Sequence, residues 1–147
     1  LSIAKNASKN AYVPISNYQV GAALLAKSGT VYIGVNVEDE AIPAMSVCAE
    51  RNVIQNAISH GDTEFLAIAV VGKMKDKLDF DATLTPCGMC RQYMIDMCKD
   101  IDIICYIEGI EKVLKKKFDV KGSTFHHYQL ARRRILVNLT HLGISLT

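Results

Sequence analysis

Cys48-Ala49-Glu50 and, further along, Pro86-Cys87-Gly88-Met89-Cys90 set three thiols and one carboxylate in a pattern that can do metal chemistry. A catalytic zinc takes three protein ligands and keeps one position open for water. Cys48, Cys87 and Cys90 would supply those ligands, one zinc per chain. Glu50, two residues after Cys48, is close enough to reach the water. Zinc lowers the pKa of such a water to about 7, and a carboxylate beside it can take the proton and pass it on. The residue types point to metal-assisted hydrolysis with Glu50 as proton carrier. A structural zinc wants four protein ligands. Cys98, eight residues beyond Cys90, and Cys105, in an apolar strand pattern, do not form a second spaced pair. The plain alternative for Glu50 is a surface residue in a first helical turn, and the ordered set around it argues against that.

Both clusters fall at predicted helix starts, where free N–H groups and the helix dipole favour anions and lower thiol pKa values. Three thiolates on a divalent zinc leave one excess negative charge, which opposes ionisation of the bound water. Arg51 follows Glu50, and Arg91 follows Cys90. One or both are expected to donate to the thiolates from outside the ligand set. The alternative is a pair of solvated or salt-bridged arginines.

The elements that hold these groups can be read from periodicity. Residues 1–11 have the mixed pattern of a short helix, broken near Pro14. Residues 18–26 and 30–37 are apolar and β-branched strands joined by Lys27-Ser28-Gly29, a hairpin connection. Residues 39–47 read as a loop around Pro43. Residues 48–60 present Val53, Ile54, Ala57 and Ile58 on one helical face, ended by Gly61. Residues 65–71 form a buried strand, and 72–85 a charged loop. Pro86 starts a second helix over 87–98. A strand over 101–107 and a short helix over 110–118 complete the pattern. Strands alternating with helices predict an α/β fold, a three-layer α/β/α sandwich with a mixed central sheet. The first two strands make a hairpin, and the later ones are expected to run parallel. Cys98 and Cys105 are read as small hydrophobes of the core.

At 147 residues the chain suits one domain. Half of it is apolar and 22% charged, ordinary for a globular protein. No apolar run approaches the roughly 20 residues of a membrane span. No basic stretch followed by an apolar core marks a secretory signal. Five cysteines, an odd number, suit metal or catalytic use better than a disulfide framework, and a cytoplasmic location is expected. The net charge of +2 is unevenly placed. Residues 1–118 carry 13 Lys and Arg against 14 Asp and Glu, while residues 119–147 carry 4 against 1. The part that holds the chemistry is not basic, which argues against nucleic acid as substrate.

With these residues in hand, the chain resembles the cytidine deaminases, in particular their small homotetrameric three-Cys class. Cys-x-Glu followed by Pro-Cys-x-x-Cys is the pattern of zinc deaminases, whose first ligand is His or Cys. Ser16-Asn17-Tyr18-Gln19-Val20-Gly21-Ala22-Ala23-Leu24 is similar to the family's S-x-F-x-V-G-A-A-L, and Asn36-Val37-Glu38 to its N-x-E. Val47 to Arg51 and Thr85 to Gln92 are similar to its two zinc segments. The resemblance covers roughly residues 1–118, a catalytic domain, and leaves 119–147 as a C-terminal extension of unknown role.

The resemblance implies hydrolytic deamination of cytidine and 2′-deoxycytidine to uridine and 2′-deoxyuridine, a reaction of pyrimidine salvage. Zinc hydroxide would attack C4 while Glu50 shuttles protons. Asn36 and Glu38 would bond the ribose hydroxyls, and Tyr18 would lie against the nucleoside where the family has Phe. The backbone at Ala49 and Thr85 would meet the base and its amine. Phe118 would reach a neighbouring subunit's site and stack on the pyrimidine; its alternative is a local core residue. For Asn36 and Glu38 the alternative is a solvated strand end.

The departures are concentrated. Asp39-Glu40-Ala41-Ile42-Pro43-Ala44 replaces the family's N-A-x-Y continuation, and the charged loop at 72–85 is longer than usual. Lys115 stands where Pro precedes the family's C-terminal aromatic. Arg132 to Arg134 read as a solvated face, and His126 and His127 as surface residues. Two rivals stay open: a zinc deaminase of another substrate, such as a blasticidin-type nucleoside or a nucleotide, and a non-catalytic zinc-binding module. Glu38 would repel a nearby phosphate, and a binding module has no use for Glu50.

Overall fold

Small residues on alternating faces of the first long strand let helices approach both sides of a sheet. The computed structural model describes residues 1–98, 101–107, 110–115 and 129–130. Strand β1 (Tyr18–Ala26) pairs antiparallel with β2 (Val31–Val35) on one side and with β3 (Phe65–Met74) on the other. Gly29, at φ 91°, takes the left-handed turn conformation of the hairpin. Strand β4 (Asp102–Ile107) lies parallel to β3, with Ala67 opposite Asp102 and Val70 opposite Cys105. Strands β5 (Ile110–Lys115) and β6 (Gln129–Leu130) add antiparallel, giving a mixed six-stranded sheet ordered β2-β1-β3-β4-β5-β6.

Helices α2 (Ala49–Ser59) and α3 (Gly88–Met97) cover one face, around Ala22, Leu24, Ile54, Ile68, Met94 and Ile103. Helix α1 (Ser2–Ala7) covers the other through Ala4, against Ala23, Ala69 and Val71. Three layers result, as the alternation predicts. Gly21 is required under α1: a Cβ there would lie 2.1 Å from the Ala4 carbonyl oxygen. Cys98 and Cys105 are buried in the core beneath α2 and α3, as their apolar surroundings predict.

One expected element is different. Residues 110–115 form a strand, not the start of a helix. Short apolar runs fit both periods, and pairing with β4, where Ile107 faces Ile110, decides the outcome. The pairing of β4 with β5 is therefore antiparallel, and only β3 and β4 run parallel among the described strands. No described helix is long and apolar enough to cross a membrane. Phe118, His126, His127 and Arg132 to Arg134 lie outside the described residues.

Candidate active site

Helices α2 and α3 begin side by side on the same face of the sheet, and each begins with a cysteine. Cys48 is the residue before α2 and Cys87 the residue before α3, both in extended conformation. Cys90 is in the first turn of α3 and fully buried. The three sulfurs lie within 4.8 Å of one another. Ligands at about 2.3 Å from a tetrahedral zinc stand somewhat closer together than that, so the cluster needs only a slight contraction around the ion.

The chemistry of the donor set also asks for a cation. The Cys48 thiol is lowered to about 5, first by the hydrogen bond from Cys90, with Arg51 adding to it against burial. The Cys90 thiol is pushed up, first by its hydrogen bond with Cys48 and then by burial. Sulfurs this close cannot all ionise unless a positive charge sits between them. Both observations fit zinc.

Arg51 approaches that charge from outside. Its Nη2 lies 3.8 Å from the Cys48 sulfur and donates to the Ser46 carbonyl at 3.0 Å. Arg91 is used differently. Its Nε donates to the Pro86 carbonyl at 2.7 Å and its Nη2 to the Thr85 hydroxyl at 3.1 Å, so it braces the turn that presents Cys87.

Glu50, in the first turn of α2, is 5% exposed. Burial pushes its carboxyl above the ordinary carboxylate value, and the neighbouring Cys48 charge adds to the rise. A carboxyl raised in this way is a better proton acceptor than an ordinary carboxylate. Ala49 beside it is fully buried.

The position of α2 is set by the edge of the sheet. Gly34 on β2 faces the helix backbone so closely that a Cβ would lie 2.5 Å from the Val53 nitrogen and 2.7 Å from the Ala49 oxygen. On either side of it, the Asn52 amide donates to the Val35 carbonyl at 3.0 Å and the Asn56 amide to the Ile33 carbonyl at 3.1 Å. Residues four apart on a helix share a face, so one helical stripe caps alternate carbonyls of the open strand edge.

Asn36 and Glu38 follow β2. The Asn36 side chain bonds the β1 backbone twice, accepting from the Val20 N–H at 2.8 Å and donating to the Tyr18 carbonyl at 2.9 Å. Glu38 accepts from the backbone N–H groups of Ile15 at 3.0 Å and Ser16 at 3.1 Å, and from the Ser16 hydroxyl. Partial desolvation works against its charge, but the bonds from Ser16 and Ile15 hold its carboxyl below the usual carboxylate value. The Tyr18 hydroxyl donates to Asp81 at 3.0 Å, and burial together with that bond raises its pKa. Sequence reasoning assigns no role to Ser16, Ser46, Asn52 or Asp81. Asp81-Ala82-Thr83 does carry a turn signal, since Asp and Thr two residues apart readily bond each other's backbone or side chain.

The loop between β2 and α2 closes on itself. Val37 and Val47 pair as a bridge, the Asp39 N–H donates to the Ser46 hydroxyl at 3.0 Å, and the Asp39 carboxylate accepts from the Ile42 N–H at 2.7 Å. Ile42 and Met45 on this loop are exposed.

Comparison with known proteins places this arrangement. Residues 1–107 match the family model described as the cytidine and deoxycytidylate deaminase zinc-binding region. A cytidine deaminase of Sporosarcina psychrophila is 45% identical over 94 residues, 64% of each chain. A cytidine deaminase of Halalkalibacterium halodurans is 44% identical over 92 residues, 63% of this chain and 64% of the relative. The chain therefore spans somewhat under two thirds of the length of these two relatives. The crystal structure of a cytidine deaminase from Burkholderia pseudomallei is similar with a TM-score of 0.67 at 36% identity, over 78% of this chain and 87% of that one.

Proposed function

The chain belongs to the cytidine and deoxycytidylate deaminase family, and from that membership we propose that it hydrolyses cytidine and 2′-deoxycytidine to uridine and 2′-deoxyuridine. The observation that carries the reading is the cluster of three sulfurs within 4.8 Å with a buried carboxyl, Glu50, two residues from one of them. Cys48, Cys87 and Cys90 would hold one zinc. The chemistry supplied with zinc bound is the acidification of a water for attack at C4 of the base.

The remaining work belongs to the chain. Glu50 would take one proton from the water and give it to the ring nitrogen, then take the second from the hydroxyl formed on C4 and give it to the amine, so that ammonia leaves as the carbonyl forms. Arg51 offsets the excess thiolate charge. Arg91 holds the Thr85-Pro86 backbone against the base, with the Ala49 backbone opposite. Asn36 and Glu38 bond the ribose hydroxyls. Asn36 keeps an N–H free for this beyond its bond to Tyr18. Glu38 keeps a charge that disfavours a phosphorylated sugar, which supports a nucleoside over a nucleotide. Tyr18 borders the nucleoside, and Phe118 stacks on the pyrimidine of a neighbouring subunit. Residues 1–118 form the catalytic domain and 119–147 an extension. A homotetramer, a cytoplasmic location and a place in pyrimidine salvage accompany this reading, supported by the family resemblance.

The test is ultraviolet absorbance of zinc-quantified protein with cytidine, deoxycytidine, CMP and blasticidin S in parallel. Loss of cytidine and deoxycytidine absorbance with about one zinc per chain is expected. Turnover of CMP or blasticidin S alone would instead show that the self-closed loop at 37–47 has changed the substrate. Zinc without any turnover would sink the enzymatic reading.

A further inference from the structure

We infer, resting on the deaminase reading, that Asp81 is a positioning residue: through the Tyr18 hydroxyl it holds the segment that delivers Thr85 and Cys87 to the site. Asp81 sits in the charged loop after β3, six residues before Cys87. Its backbone N–H donates to the Gly72 carbonyl at 2.7 Å. One carboxylate oxygen accepts from the Thr83 N–H at 2.8 Å and the Thr83 hydroxyl at 2.6 Å. The other accepts from Tyr18 at 3.0 Å. All of these bonds tie the loop, and the Tyr18 bond alone ties it to β1.

Tyr18 is itself fixed. Its ring lies over Gly72, where a Cβ would meet Tyr18 at 2.8 Å and Leu84 at 2.9 Å. Its backbone N–H donates to the Ser16 hydroxyl at 3.0 Å, and its carbonyl accepts from Asn36 at 2.9 Å. Ser16 in turn donates to Glu38. A continuous set of hydrogen bonds therefore runs from Glu38 and Asn36, through Tyr18 and Asp81, into the turn that precedes Thr85. There Arg91 takes over. The hydroxyl that distinguishes Tyr18 from Phe is the link, and it meets the charged loop after β3. A long loop ending in a metal ligand gains most from such a tether, because ligand placement then costs less ordering.

The experiment compares zinc-loaded native protein with Tyr18→Phe, Asp81→Ala and the double variant. Tyr18→Phe removes one oxygen and keeps the ring, so it reports on the bond even if Asp81→Ala folds poorly. The first readout is the rate of zinc transfer to a chromophoric chelator. The second is KM against kcat for cytidine. Each single variant is expected to release zinc ~5-fold faster, the equivalent of one lost hydrogen bond. The double variant should be no faster than the singles. KM should rise in each single variant and no further in the double variant, because the Thr85 segment is loosened while Glu50 is untouched. Native release rates in Tyr18→Phe, or effects that multiply in the double variant, would overturn the inference. Failure of native protein to deaminate either nucleoside, with the shared acceleration of zinc release still seen in the variants, would refute the deaminase reading and leave the tether standing.

Discussion

The Asn52 side-chain amide donates to the Val35 carbonyl at 3.0 Å, joining the helix that carries Glu50 to the strand that leads into Asn36. Two turns of α2 are thereby fastened to the open edge of the sheet, with Gly34 clearing the space between them. Edge strands are exposed templates for pairing with other chains. Here two side chains of α2 cap carbonyls of that edge, and the same contact sets the height of Glu50 above the sheet.

Gly34→Ala should therefore be severe. Its methyl group would meet helix backbone, which cannot swing aside, and α2 would have to lift. A loss of about 2–3 kcal/mol in urea unfolding is expected, in the range for overpacked cores. Turnover should fall with it. Asn52→Ala should cost about 1 kcal/mol. Equal stabilities for native protein and Gly34→Ala would contradict the close approach.

Glu50→Gln removes the proton carrier and keeps the shape. Zinc content should stay at the native level while kcat falls by about 100- to 10,000-fold, the usual contribution of a positioned acid–base group. Elemental analysis beside the absorbance assay separates the two effects. Substantial residual turnover would take the proton role from Glu50.

Cys90→Ser should abolish high-affinity zinc binding, because the sulfur is buried and no other described cysteine can replace it. Zinc that binds only the folded state stabilises it by about 2.7 kcal/mol at one hundred times its dissociation constant. Chelation should therefore lower the melting temperature of native protein and leave that of Cys90→Ser unchanged. A chelator-sensitive melting temperature in the variant would point to other ligands.

Glu38 predicts an acid limb. Its carboxyl is lowered in the folded state by the bonds from Ser16 and Ile15. The stability it contributes is therefore present above the ordinary value of 4.5 and is lost as the pH falls through the lower folded value. Urea midpoints should decline from pH 5 downward in native protein and less steeply in Glu38→Gln. Identical slopes would show that the carboxylate bonds do not differ between folded and unfolded states.

Much of this was legible in the residue order. The boundaries of β1 and the positions of α2 and α3 follow from apolar period and from Gly and Pro punctuation. The cluster of Cys48, Cys87 and Cys90 follows from cysteine spacing. The strand at 110–115 was not legible, because Ile110, Val113 and Leu114 satisfy a helical spacing nearly as well as a strand one. What settles it is a neighbour, β4, that local periodicity does not contain. The hydrogen bonds of Arg91 and Asp81 were hidden for a similar reason. Spacing shows that a charge is present, and only the folded loop shows which atom it meets.

The parallel pairing of β3 with β4 also bears on the order in which the protein forms. Ala67 and Asp102 meet only after the whole intervening crossover has been laid down, including the charged loop and α3. The hairpin of β1 and β2, by contrast, closes over a few residues and can form early. Long closures of chain are slow because their entropy is lost before any contact repays it. Cys48 begins the helix that packs on this hairpin, whereas Cys87 and Cys90 lie inside the crossover. The three-cysteine cluster therefore joins a locally closed part of the fold to its long crossover, and it is complete only once that crossover is in place.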